Sequence, residues 1–437
     1  MNQEIAILNI SKPGDNKEFN GGYGTTFEVG DSLKSKLLMF VRNRLEHLPL
    51  LNDGYLNAIF TERGHKVKYY ENKIPKEKYI FLHTSLIRFN EEIEFVHKIK
   101  ENSDAKIFIH GPLASSLPEK YLNIADTVLT GEIENLFNKF DNLDEVPSGL
   151  VKLDYVGDIE SIPFPNWDIF SYKSFKQFPI LKSWPVFMVL GSRSCPYKCN
   201  YCPYISNDNK YRFRSVDNVI EELKHLKSKY NAKAILFRDP VFSMKKKWVI
   251  ELCEKMIANN LNLKWVCETR LDRMDEELVD IMYKAGFRGI EVGIESFHHE
   301  QLKKLQRVPP EKDHQEQIID YMENKGVSVV GFYVLGFPDD THETMLETIN
   351  YSKKLNTSFA NFTICTPIPG TGFYNEVKDQ IFDHNFQHYD NFHPVFKLKH
   401  LEPEDVKQAK ENALTSYYLR KQYLLKNISK FSMPFSS

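Results

Sequence analysis

Three of the six cysteines in this 437-residue chain fall within eight positions: Cys195, Cys199 and Cys202, in the run SRSCPYKCNYCPY. Three thiolates on one short loop, spaced C-x3-C-x2-C, can hold three irons of a [4Fe–4S] cubane and leave the fourth without a protein ligand. The rival reading is structural zinc, which is closed by four ligands, usually as two Cys or Cys/His pairs. No fourth ligand lies nearby, and His225 is a long helix away. Cys253, Cys267 and Cys365 are scattered through apolar segments and read as small buried hydrophobes. Six cysteines in so long a chain do not make a disulfide framework.

The cysteine loop directly follows an apolar run, VFMVLGSR, the first of six strand candidates between Trp184 and Gly370. The others are KAILFRD, LKWVCETR, GIEVGIES, SVVGFYVLGFP and FANFTICTP. Amphipathic segments separate them, such as VDNVIEELKHLKSKY, where apolar residues recur at three and four. Six strand–helix units fall short of the eight of a closed barrel, so a partial, laterally open (β/α)6 TIM-like barrel is expected. Function in such barrels gathers at the carboxyl ends of strands, where this cysteine loop would lie. Residues 372–437 hold a helical segment, PEDVKQAKENALTSYYLRKQYLLK, suited to pack across the open side.

Residues 1–135 also alternate. IAILNI (5–10), KVKYY, YIFLHTS (79–85), KIFIHG (106–111) and ADTVLTGE (125–132) read as strands. Helical stretches lie between them, at 37–63 and in FNEEIEFVHKIKE. The alternation predicts an α/β, doubly wound, Rossmann-like domain with ligands at the carboxyl ends of its strands. Residues 136–183, with Pro147, Pro163, Pro165 and Pro179, read as a linker to the barrel at 184–371.

From about Lys182 to Thr371 the chain resembles the radical S-adenosylmethionine (SAM) superfamily core. Tyr201, just before the third cysteine, matches that family's C-x3-C-x-aromatic-C pattern. The resemblance implies a cluster whose open iron binds SAM and cleaves it to a 5′-deoxyadenosyl radical. It also implies that polar groups at the strand ends hold SAM: Tyr201, Asp239, Glu268, Arg270, Gly293, Glu295, Ser296, Gly336 and Pro369. Arg270 could pair with the methionyl carboxylate in a bidentate way, and Glu295 could accept from the ribose hydroxyls or the ammonium.

With its N-terminal domain, the chain resembles the cobalamin (B12)-binding-domain group of radical SAM proteins. IFIHGPLASSLPEKYLNIADTVLTGEIE (107–134) is close to that group's Gly-Gly-Pro-His-Ala … Asp-x-Val … Gly-Glu pattern, and ESIPFPNWDIF (160–170) resembles its connecting segment. The resemblance implies cobalamin near His83, Gly111, Pro112, Gly131 and Glu132. The chain departs from the pattern at His110-Gly111-Pro112-Leu113, and it lacks Asp-x-His-x-x-Gly. His83 and His110 lie at or near predicted strand ends where the corrin would sit, and read as loop or core histidines in preference to cobalt ligands. FNGGYGTTF (19–27) would let backbone approach a large cofactor or form a plain turn. Methylthiotransferases, with further cluster cysteines before the barrel, are set aside because none precedes Cys195.

The expected reaction is cobalamin-dependent methylation of an unactivated carbon in a small molecule. An alternative drops cobalamin for a radical dehydration, epimerisation or cyclisation on a sugar or natural-product scaffold; a zinc or iron–sulfur binding module is a remote one. A flavodoxin- or ferredoxin-type electron donor is implied. The formal net charge of −2 gives no general attraction to nucleic acid or anionic membrane. No apolar run approaches membrane-spanning length and MNQEIAILNI reads as a strand, not a signal peptide, so a cytoplasmic enzyme is expected. Tyr204, Tyr211, Phe213, Tyr417 and Tyr418 are candidate cavity or core residues.

Overall fold

The computed structural model describes residues 3–27, 30, 32–42, 46–205 and 210–427. The chain begins with β1 (Glu4–Asn9), α1 (Leu33–Arg42), the short β2 (Glu46–His47), α2 (Leu51–Glu62) and β3 (Lys66–Glu71). It continues through β4 (Tyr79–His83), α3 (Phe89–Asn102), β5 (Lys106–His110), α4 (Pro112–Ser116), β6 (Thr127–Thr130), α5 (Leu136–Lys139) and β7 (Gly149–Lys152). Six of these strands make one parallel sheet in the order β3-β1-β4-β5-β6-β7. The order reverses between β1 and β4, the crevice where open α/β sheets bind ligands.

Two sequence expectations change here. The stretch 37–63 is two helices, because Pro49 disfavours helix at the residue before it and β2 intervenes. The sheet also runs on past 125–132 into β7, within the segment read as a linker. Only Val151 of GLVK is buried, so this edge strand carries no apolar periodicity to announce it.

The segment after β7 crosses to the second sheet, and its β8 (Lys176–Gln177) pairs antiparallel with β2. Then come β9 (Val186–Val189) and a two-strand hairpin, β10 (Ser192–Arg193) with β11 (Arg212–Phe213), bracketing the cysteine loop. The repeating units follow: α6 (Val216–Tyr230), β12 (Ala234–Phe237), α7 (Lys246–Ala258), β13 (Lys264–Thr269), α8 (Glu276–Lys284) and β14 (Phe287–Glu295). They are completed by α9 (His299–Lys304), α10 (Lys312–Lys325), β15 (Ser328–Leu335), α11 (His342–Leu355) and β16 (Phe359–Ile364). These six strands pair in parallel as β16-β15-β14-β13-β12-β9 with no β9–β16 pairing, the open barrel the alternation implies.

The caps explain why the helices start and stop where they do. Ser215 accepts from Asn218 N ahead of α6, and Asp275 accepts from Leu278 N ahead of α8. Thr341 forms a capping box with Thr344 at α11, and Asn231 and Asn356 close α6 and α11 in left-handed geometry. Inside, β9 and β12 are buried at every residue, and Trp265 packs against Phe237, Phe242 and Phe287. Truncating such a ring would cost about 3–5 kcal/mol.

After α12 (Gly372–Val377), α13 (Pro403–Tyr418) and α14 (Lys421–Asn427) cover the β16 edge. Tyr417 and Tyr423 bury their rings there and donate to Thr357 O and Ser358 O. Tyr417 is therefore core. Among the described residues no helix is long and apolar enough to cross a membrane.

Candidate active site

The cysteine loop is tied down on both sides. Asn200 N donates to Leu305 O, Phe373 N donates to Asn200 O, and Asn200 Nδ2 donates to Glu376 at 2.7 Å. Gly372 makes this possible, since a Cβ there would lie 1.9 Å from Asn200 Oδ1. Ser194 enters the loop at φ +72°, and Cys202 N donates to Cys199 O. Cys199 is buried, and Cys195 and Cys202 are partly buried. Burial pushes the Cys195 and Cys202 thiols up, with Arg270 opposing it at Cys195. All six cysteines are free thiols.

Among the described residues no three His, Cys, Asp or Glu side chains converge as one metal ion would require. A cubane does not ask for that convergence, because each thiolate holds a different iron.

Several of the strand-end residues gather around the loop. Tyr201 packs on Phe337 and faces Glu295. Glu295 has φ +67° at a register shift between β14 and β15, a conformation costing an ordinary side chain about 1–3 kcal/mol. It meets Arg307 at 3.3 Å, and Arg307 also donates to Gly293 O at 2.6 Å and faces Cys199. Burial pushes the Glu295 carboxyl up, with Arg307 and Arg270 opposing. Burial likewise raises Glu268 against the pull of Arg238, 3.4 Å away. Arg270 stacks on Tyr197 and donates to Asp272 and Val308 O, while its Nη1 is buried with no partner among the described residues.

The remaining four serve the scaffold. Asp239 accepts from Gly191 N at 2.9 Å and Ser192 Oγ at 2.6 Å, and burial pushes its carboxyl up to about 6. Ser296 caps the turn to His298 and meets Thr348. Gly336, at φ +77°, packs where a Cβ would lie 2.7 Å from Val406. The Pro369 carbonyl accepts from Tyr23 at 3.0 Å.

A cavity of about 1580 Å³ opens between the two sheets, above the roughly 300–1,000 Å³ usual for small-ligand sites. One side is the carboxyl edge of the N-terminal sheet: Asn9, the 11–19 loop and Tyr69–Lys73. The other is the barrel interior, with Glu291, Val330, Phe332 and Asn361. The cysteines do not line it. Arg238 links cavity and cysteine loop, with Phe19 over its guanidinium at 4.4 Å and Tyr204 OH at 3.3 Å. Tyr418 lines the cavity, whereas Tyr211 and Phe213 meet edge to face at the hairpin.

Of the N-terminal candidates, His83, Gly111 and Pro112 pack behind the Gly-rich turn. His83 Nε2 meets Gly22 O at 3.0 Å, and a Cβ on Gly22 would touch Pro112 at 3.1 Å. His83 and His110 are buried outside the cavity lining, with ring centroids 5.4 Å apart. Gly131, at φ +89°, packs on Leu153 O, and Glu132 pairs with Arg212 and Arg193 of the hairpin. The sequence reading missed Arg307, in a loop with no periodic cue, and Gln177, in the proline-rich crossing.

The radical SAM superfamily model matches residues 189–352. An uncharacterized methyltransferase of Pyrococcus horikoshii is 29% identical over 362 residues, 76% of this chain and 77% of that protein. A bacteriochlorophyllide d C-12(1)-methyltransferase of Chlorobaculum tepidum is 24% identical over 222 residues, and the match spans 48% of that protein. Among solved structures, OxsB with aqua-cobalamin and SAM superposes at TM-score 0.67 and 14% identity, over 99% of this chain and 69% of that one. TsrM of Kitasatospora setae, with cobalamin and a [4Fe–4S] cluster, superposes at 0.61 and 13%, over 87% and 78%.

The fold is that of an enzyme in which a doubly wound domain stands ahead of an open barrel, and the radical SAM match falls on that barrel. The resemblance to the radical SAM superfamily lies over the barrel, and over nearly its whole length the chain shares the fold of OxsB.

Proposed function

We propose that this chain is a radical SAM C-methyltransferase for a small molecule bound between its two sheets. The shared cavity carries the reading, because it joins the carboxyl edge of the N-terminal sheet to the barrel interior, and its lining residue Phe19 packs on Arg238, which reaches Tyr204 after the cysteine loop. A reduced cluster on Cys195, Cys199 and Cys202 would supply the electron that splits SAM into methionine and a 5′-deoxyadenosyl radical. Arg270 would offer its unpaired Nη1 to the methionyl carboxylate. Glu268, Glu295 and Tyr201 would hold the cationic and ribose parts of SAM, and Arg307 would fix Glu295 and offset thiolate charge at Cys199. Asp239, Ser296, Gly336 and Pro369 would support these groups from behind.

A corrinoid would lie at the N-terminal end of the cavity, where the 11–19 loop and Tyr69–Lys73 frame the crevice beside the β1/β4 reversal. It would supply a methyl-carrying centre; the protein would hold it there and exclude water from the chamber. His83, Gly111 and Pro112 would then act as backing rather than contact. An electron donor of flavodoxin or ferredoxin type completes the reading.

The packed-away His83 and His110 also favour a second reading, in which radical chemistry proceeds without cobalamin. A cyclisation is the reaction named for one relative, an anaerobic magnesium-protoporphyrin IX monomethyl ester cyclase of Cereibacter sphaeroides, 26% identical over 270 residues, 61% of this chain and 44% of that protein. The deciding experiment is cobalamin content after anaerobic purification and reconstitution with iron, sulfide and cobalamin. Near-stoichiometric retention supports methyl transfer. A SAM-cleaving protein that retains none supports the second reading.

A further inference from the structure

Helix α1 turns its apolar row outward. Leu33, Leu37 and Phe40 are 86%, 62% and 57% exposed, whereas Ser35 is fully buried and Met39 packs on the main hydrophobic core. At about 100° per residue the three apolar side chains fall within about 60° of one another, on the side away from Ser35 and Met39. Lys34 and Lys36 are exposed and flank the row, one on each margin. A surface helix ordinarily sets such a stripe against the core. Single exposed apolar residues need no explanation, but a contiguous row of them marks a contact surface.

The fold holds the helix in this attitude. Glu411 of α13 accepts from Ser32 N at 3.3 Å and from Ser35 Oγ at 2.7 Å, which turns its carboxylate to the inner side of α1. Beyond the helix, β2 pairs with β8. Residues 25–27 and 46–50, on either side of α1, line the cavity between the sheets. The charges of α1 itself are Lys34, Lys36 and Arg42, with no acidic residue. The chain as a whole is at −2, so the basic character is local to this helix. An apolar row between lysines matches a bilayer interface, where alkyl groups enter the acyl boundary and ammonium groups stay with the headgroup phosphates.

We propose that α1 docks this protein on an anionic lipid surface. Leu33, Leu37 and Phe40 enter the outer acyl region, and Lys34 and Lys36 meet lipid phosphates. The helix is about 15 Å long, too short to span a bilayer, so the attachment is peripheral and reversible. Docking brings the cavity edge at 25–27 and 46–50 close to the bilayer, where apolar small molecules concentrate. The inference does not depend on the radical chemistry proposed above.

The test sediments the full-length protein with vesicles of phosphatidylcholine alone or with roughly one quarter phosphatidylglycerol, at about 1 mM lipid. Binding should be about tenfold or more stronger to the anionic vesicles and should weaken as added salt screens the lysines. Leu33→Gln with Leu37→Gln should lower the affinity about tenfold or more. Lys34→Gln with Lys36→Gln should remove the preference for phosphatidylglycerol. Leu346→Gln, at a leucine 55% exposed on α11, should bind as wild type. In the unaltered protein, anionic vesicles should slow amide hydrogen exchange in α1, a readout that needs no variant to fold. No sedimentation, equal binding to both vesicles, unchanged binding in either double variant, or unchanged exchange in α1 overturns the inference. Light scattering without lipid should show a monomer. A dimer that Leu33→Gln with Leu37→Gln dissolves would give the row to a second copy of the chain and overturn lipid docking.

Discussion

Arg212 grips Glu132 with both terminal guanidinium nitrogens, Nη2 to Oε1 at 2.7 Å and Nη1 to Oε2 at 2.9 Å. The fork joins the loop after β6, in the N-terminal sheet, to the hairpin that brackets the cysteine loop. Arg193 adds contacts to Glu132 at 3.4 Å and Glu134 at 2.6 Å. A carboxylate and a guanidinium matched in this way give orientation as well as energy. The two domains are thus held in register right beside the candidate cluster.

Glu132→Gln should therefore destabilise the protein on the order of 3 kcal/mol, because two guanidinium groups lose their shared counter-charge in a mostly buried place. Burial pushes the Glu132 carboxyl up, but Arg212 and Arg193 outweigh it and hold it at about 2. Since the folded value is depressed, its contribution is present above the ordinary value of 4.5 and lost as pH falls toward 2. Denaturant unfolding of both proteins checks this: the gap should close below that window and stay open at neutral pH.

His83 gives a second pH dependence, in a higher window. Burial pushes its imidazole down to about 4, partly offset by its bond to Gly22 O. The folded protein keeps it neutral where an unfolded chain would protonate it. Its contribution is complete above 6.5 and is lost as pH falls toward 4, on the order of 3 kcal/mol in all. Buried His110 acts in the same direction. Asp53, raised to about 7 by burial, acts in the opposite one, its contribution fading as pH rises from 3.8 to 7. The difference between wild type and His83→Phe isolates the single imidazole. That difference should change across the 6.5-to-4 window, and a flat one would show that His83 is solvated.

The barrel was legible because β9, β12 and β13 are buried on both faces and so read as unbroken apolar runs. The cysteine spacing was legible for a different reason: few other patterns put three thiols on one loop. Elements held by long-range contacts left no such mark. β7 is half exposed, Arg307 belongs to an irregular loop, and Gln177 finds Glu291 across 114 positions of sequence. Strand-end position alone did not separate Glu295, which meets Arg307, from Asp239, which is spent on the Gly191–Ser192 turn.

Cys199→Ala tests the cluster. Cys199 is the most buried of the three and faces Arg307. Its loss should leave iron and labile sulfide well below cluster stoichiometry after reconstitution and reduce SAM cleavage to background. Circular dichroism should stay close to wild type, since Asn200 still anchors the loop to Leu305 and Phe373. Full retention of iron and SAM cleavage in this variant would remove Cys199 from the ligand set.

Tyr418 does for β16 what a neighbouring strand would do. Its hydroxyl accepts from Ala360 N at 3.0 Å and donates to Ala360 O at 2.7 Å, satisfying both backbone groups at the edge where the barrel stays open. Ala360 is 2% exposed, so water has poor access to replace those bonds. Tyr418→Phe keeps the ring and removes only the oxygen, and should cost about 1–3 kcal/mol through the unpaired donor. Amide hydrogen exchange at Ala360 should quicken with the fall in stability, while exchange in β12 and β13 follows the global change alone. If Ala360 exchanges as in wild type, the edge is closed by packing from α13, and the tyrosine hydroxyl is incidental to it.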